Sequence, residues 1–104
     1  MPDSPQFISE KDAWDKINAG AFVLDVRKTN ETLSGVIPGA VVIPHTELPN
    51  NMDKIPSDKN TEIVCYCAVG GRSEMAKQYL ESEGYTSVFN AGGYQSLSDW
   101  EQKN

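Results

Sequence analysis

Histidine occurs once in this chain, at His45, and cysteine twice, at Cys65 and Cys67. With no histidine partner and no second cysteine pair, these three residues do not make up a metal-ligand set. Neither a metal nor another cofactor is expected. Long apolar runs are also missing: nothing approaches the roughly 20 residues that a helix needs to cross a bilayer. The opening Met1-Pro2-Asp3-Ser4-Pro5 lacks the basic and then apolar character of a secretion signal. As written the chain reads as cytoplasmic, and a periplasmic protein whose signal peptide had been removed would read the same. Positive charge is short as well, nine basic side chains against fifteen acidic ones for a net charge of -6, with no long block of one sign. That balance argues against nucleic acid and against an anionic membrane surface as partners. There is no internal repeat and no low-complexity segment. What remains is 104 residues with 38% hydrophobic content, enough for a single domain over residues 1–104 with one core and no disulfide staples. Nothing in the apolar pattern demands a dimer, so a monomer is expected.

Short apolar runs alternate with amphipathic ones. Ser9 followed by Asp12 has the spacing of a helix N-cap, and Ala13, Trp14 and Ile17 then share a helical face until Gly20. Ala21 to Val26, Ala40 to Ile43, Glu62 to Tyr66 and Ser87 to Asn90 read as strands, and Gln6-Phe7-Ile8 as a further edge strand. Residues 31–33 suggest a helical turn, Thr46 to Ile55 a weak helix broken by Pro49, and Glu74 to Leu80 a helix stopped by Gly84. Ala91-Gly92-Gly93 suggests a turn, and Tyr94 to Gln102 a closing helix with Leu97 and Trp100 inward. Apolar strands alternating with helices specify an α/β three-layer sandwich around a mainly parallel, five-stranded sheet. In such sheets ligands gather at the carboxyl ends of the strands, where Asp25 with Arg27, Cys67, and Asn90 to Gly93 all fall.

The stretch with most chemistry is Cys67-Ala68-Val69-Gly70-Gly71-Arg72-Ser73, between the strand Ile63-Val64-Cys65-Tyr66 and a helix start. The amides of residues 68–72 can curl into a ring of N–H donors, Gly70 and Gly71 being free to take positive φ. The positive end of the helix dipole points into the same ring. A free thiol titrates near about 8.5, and such surroundings lower that value. Cys67 is therefore expected to be a solvent-accessible nucleophile facing a small anion, with Ala68, Val69, Gly70, Gly71 and Arg72 binding the substrate. Cys65, inside the apolar run, is expected to be inert. The two cysteines are expected on opposite faces of the strand, a poor disulfide geometry, and so reduced.

Four segments together resemble the rhodanese family. They are Asp25-Val26-Arg27, Gly35-Val36-Ile37-Pro38-Gly39-Ala40, the loop from Tyr66-Cys67 through Arg72-Ser73, and Asn90-Ala91-Gly92-Gly93, and the resemblance covers nearly the full length of the chain. Val36 stands where histidine is usual, with little consequence expected. The resemblance implies a rhodanese-like fold and a thiosulfate sulfurtransferase. The Cys67 thiolate takes the outer sulfur of thiosulfate, a small anionic donor, and the resulting persulfide passes it to cyanide or to a thiol acceptor. Arg72 would attract the sulfonate or tie down the loop. The six residues from Cys67 to Arg72 match the sulfur-transfer loop, whereas related phosphatases and arsenate reductases carry one residue more. A sulfur carrier loaded by partner proteins is the alternative, and phosphatase or arsenate reductase chemistry a more distant one.

The other candidates have plainer roles. Asp25 and Arg27 are expected to be structural, Asp25 holding loop amides and Arg27 pairing with Glu31. His45 is expected in a loop, and Glu74 turned away from the anion site. Trp14, Trp100, Tyr79 and Phe89 are expected in the core, with Lys28 and Lys77 as surface charges.

Overall fold

The computed structural model of the chain describes residues 7–103. Ser9 begins the first helix, α1 (Glu10–Asn18), its hydroxyl accepting the Asp12 N–H. The apolar runs become four parallel strands, β1 (Phe22–Asp25), β2 (Val41–Val42), β3 (Ile63–Cys67) and β4 (Val88–Gly93). Among the described residues they lie side by side in the order β2-β1-β3-β4. Two 3-10 segments, Thr29–Ser34 and His45–Lys54, flank β2, and the helices α2 (Gly71–Ser82) and α3 (Tyr94–Lys103) follow β3 and β4. No described helix is long and apolar enough to cross a membrane.

The sheet separates two apolar layers, as alternating side chains on strands covered from both sides require. Leu24, Cys65 and Cys67 face Ala76 and Leu80 of α2 and Leu48 of the second 3-10 segment. Val23, Val64 and Tyr66 face Ala13 and Trp14 of α1 and Leu97 of α3. Each fully buried side chain of this size contributes roughly 1.5–3 kcal/mol, so both helical layers hold the sheet. Trp14 and Tyr66 are buried, while Tyr79 and Trp100 pack at the edges of these clusters.

Three expectations are corrected. The sheet is four-stranded among the described residues rather than five-stranded. Gln6 lies outside those residues, and Ile8 donates its N–H to the Asn90 carbonyl at 3.0 Å without entering strand geometry, because Ser9 already turns the chain into α1. Cys65 and Cys67 share one face of β3, since side chains two apart on a strand point the same way. Ala91-Gly92-Gly93 continues β4 instead of turning away. Cys65 pairs with Asn90 and Cys67 with Gly93, so β4 carries an extra residue at this point, a bulge that Gly92 accommodates at φ +83°.

β1 lies between β2 and β3, so the chain leaves it toward opposite edges of the sheet through its next two strands. The carboxyl ends of β1 and β3 meet at this switch point. Asp25 and Cys67 end those two strands.

Candidate active site

β3 ends at Cys67, and Gly70, at φ +103°, turns the chain into α2. The Gly70 N–H donates to the Cys67 sulfur at 2.9 Å, and the Ser73 hydroxyl lies 3.5 Å from the same atom. Burial opposes the thiolate here. The Ser73 hydroxyl and the amides of Ser73, Gly70 and Val69 outweigh it, and the thiol is held below its ordinary value. Cys65 goes the other way: burial, the nearby Cys67 and Glu74 push its thiol up to about 12. One strand thus carries two cysteines whose thiols are shifted in opposite directions, and the difference lies in which sulfur the loop amides reach. Solvent access is where the expectation fails, because Cys67 is 0% exposed beneath its loop.

Arg72 has a partner of its own beside the site. Its guanidinium makes a two-pronged pair with Glu31, at 2.6 and 2.9 Å, which holds that carboxyl at about 2. The same guanidinium also feels the charge of Cys67. Arg27, the expected partner of Glu31, instead clasps Asp25 at 2.7 Å and donates to the carbonyls of Glu31 and Gly35. Asp25 accepts the Arg27 amide at 3.0 Å, and the buried pair pins the loop that carries Glu31. The two arginines differ in reach: Arg27 sits two residues from Asp25, while α2 swings Arg72 across to the 3-10 segment after β1.

Ser73 and Asn90 stand within segments that the sequence singles out, but it gives neither a role of its own; the structure places both beside the Cys67 loop. Asn90 is 1% exposed, and its amide donates to the Gly70 carbonyl at 3.0 Å and to Glu74 at 3.1 Å. Its side-chain oxygen accepts the Gly92 N–H at 2.9 Å and the Ser73 hydroxyl at 2.7 Å. This one side chain ties the cysteine loop, α2 and the β4 bulge together. Its signal was an asparagine buried at a strand end, where polar side chains need several partners. The signal for Ser73 was a hydroxyl in the first helical turn after a glycine. Gly93 completes the fit: a Cβ there would come within 2.6 Å of the Ala68 carbonyl oxygen. Ala68 and the strongly exposed Val69 form the outer lip of the loop. His45 opens the second 3-10 segment, and Glu74 turns to Asn90 and Gln78.

A thiolate held by main-chain amides, without a general base, can attack a sulfur or an oxyanion centre. Known proteins narrow that choice. The Rhodanese-like domain model matches residues 9–100. A sulfurtransferase of Allochromatium vinosum is 38% identical over 72 residues, 69% of this chain and 65% of that protein, so the chain spans just under two thirds of that relative. Thiosulfate sulfurtransferase PspE of Escherichia coli is 35% identical over 75 residues, 72% of each chain. The solved human single-domain sulfurtransferase TSTD1 superposes with a TM-score of 0.78 at 29% identity, covering 97% of this chain and 99% of that one. Sulfur transfer is the activity for which these relatives are named. With its parallel sheet, its cysteine loop and this match over nearly its full length, the chain belongs to the rhodanese-like family.

Proposed function

We propose that the chain works as a single-domain thiosulfate sulfurtransferase in which Cys67 is the nucleophile. The observation that carries this reading is the Gly70 N–H directed at the Cys67 sulfur at 2.9 Å, in surroundings that hold the thiol below its ordinary value. The thiolate attacks the outer sulfur of thiosulfate, the sulfur–sulfur bond of the donor breaks and sulfite leaves with its electron pair. The persulfide on Cys67 carries its negative charge on the outer sulfur, where the amides of residues 68–72 can receive it. Cyanide or a thiol then attacks that outer sulfur and restores the Cys67 thiolate, so no net oxidation occurs. Because Cys67 is 0% exposed, the lip formed by Ala68 and Val69 must part to admit the donor. Gly71 opens α2, and Arg72 stands beside the bowl with its charge shared with Glu31. Asp25 and Arg27 act as structural support.

The reading is tested by incubating the protein with thiosulfate and measuring its intact mass. One added sulfur atom is expected, lost again with release of thiocyanate when cyanide is supplied, and absent in Cys67→Ser. An unmodified wild-type protein, or an adduct that survives in Cys67→Ser, refutes it.

A further inference from the structure

Phe7 sits outside every role given so far, and it is a large apolar side chain left 48% exposed. Burial alone gives a ring at such a position little reason to be fixed. Its place is set by the backbone beside it: the Ile8 N–H reaches the Asn90 carbonyl at 3.0 Å, which lays this segment along β4 just before α1. The ring then covers the Cα positions of two glycines on different elements. A Cβ added at Gly70 would meet the Phe7 ring and lie 2.7 Å from its Cε1 atom, and one at Gly92 would lie 3.1 Å from Cδ2. Both glycines have positive φ, +103° and +83°.

Gly70 is the residue whose N–H points at the Cys67 sulfur. Glycine also has the widest choice of backbone conformations, so a glycine amide stays aimed only if its surroundings hold it. On its carbonyl side Gly70 is held by the Asn90 amide at 3.0 Å and the Glu74 N–H at 3.1 Å. On its Cα side the contact is the ring of Phe7, which at the same time bridges to the β4 bulge. The ring also walls a groove of about 450 Å³ that runs behind the loop, with Ala68, Val69 and Gly93 on its other side.

We propose that Phe7 is a positioning residue: its ring, seated on Gly70 and Gly92, keeps the Gly70 peptide turned so that its N–H meets the Cys67 sulfur. Phe7 touches no reacting atom and acts through Gly70 alone. This role rests on the reading of Cys67 as a working thiolate. The titratable groups that interact with that sulfur are Arg72, paired with Glu31, and the neutral Cys65 thiol, which in turn feels Glu74 and Lys77, and a change at Phe7 removes none of them.

The test is the rate of Cys67 alkylation by iodoacetamide as a function of pH, followed by intact mass in the wild type, Phe7→Ala and Phe7→Tyr. No sulfur donor is present, so the titration reads the thiol whether or not thiosulfate is a substrate. Phe7→Ala is expected to move the midpoint upward and to slow alkylation at pH 7 by about three- to tenfold, since only the thiolate reacts. Phe7→Tyr, which keeps the ring, is expected to restore the wild-type profile. Each titration is run well below the melting transition of the variant, so that lost stability does not enter. A midpoint unchanged in Phe7→Ala overturns the proposal, and so does a midpoint raised equally in Phe7→Tyr. Thiosulfate loading of the wild type with an unmoved midpoint in Phe7→Ala would sink the role of Phe7 and leave sulfur transfer standing.

Discussion

Glu31→Gln removes one charge from the pair that governs Arg72 and leaves the shape of the side chain almost unchanged. In the wild type the Arg72 guanidinium first, and the Lys28 amide second, bring the Glu31 carboxyl from its ordinary 4.5 to about 2. At about 1.4 kcal/mol per pH unit that fall corresponds to roughly 3 kcal/mol. Solvent reaches both partners, whose side chains are 25% and 32% exposed, and screening brings the stabilisation down to about 1 kcal/mol. For a domain of this size the variant should melt about 4 °C lower at pH 7. The sign with pH follows from the direction of the shift. A carboxyl depressed in the folded state contributes its stability above 4.5 and loses it as the pH falls toward 2. Urea unfolding of wild type and variant should therefore differ fully at pH 7 and converge below pH 4.5. In the thiosulfate loading assay, Arg72 released from Glu31 should attract the dianion more strongly, and the KM for thiosulfate should fall by about three- to tenfold. A stability difference that stays constant down to pH 3, or a KM that does not fall while kcat drops, would refute the reasoning and leave Arg72 as a tie for the loop.

Two further predictions concern residues on either side of this pair. Ser73→Ala removes the side-chain donor nearest the Cys67 sulfur, and hydrogen bonds to charged groups contribute about 1.5–3 kcal/mol. The hydroxyl gives its proton chiefly to Asn90 at 2.7 Å and sits 3.5 Å from the sulfur, so less than the lower end applies: iodoacetamide alkylation at pH 7 should slow by about two- to threefold, with recovery in Ser73→Thr; an unchanged rate would mean that the amides suffice. Asp25→Asn leaves the Arg27 guanidinium buried without its counter-charge, and breaking a buried pair in this way costs about 3–5 kcal/mol, seen as a lower urea midpoint. A loss below about 1 kcal/mol would show that the carbonyls of Glu31 and Gly35 hold Arg27 by themselves.

The sequence by itself determined what is local along the chain. Alternating apolar runs and helix signals define the layered α/β fold. The order cysteine, glycine pair and helix start brings amides to one sulfur within a few residues of chain, because the peptide groups concerned are covalent neighbours. The loop around Cys67 and the inertness of Cys65 are legible for that reason. Only the tertiary structure decided the contacts between distant segments. Arg72 meets Glu31 across 41 positions, where the sequence pairs Glu31 with its neighbour Arg27. Ser73 meets Asn90 across 17 positions, and Phe7 meets Gly70 from the far end of the chain. Which long side chain reaches which charge depends on strand order and on the rotation of α2 about its axis, and no residue spacing encodes either. The depth of Cys67 belongs to the same class: the loop residues point to a bowl, but only the packed structure shows the sulfur fully buried in it.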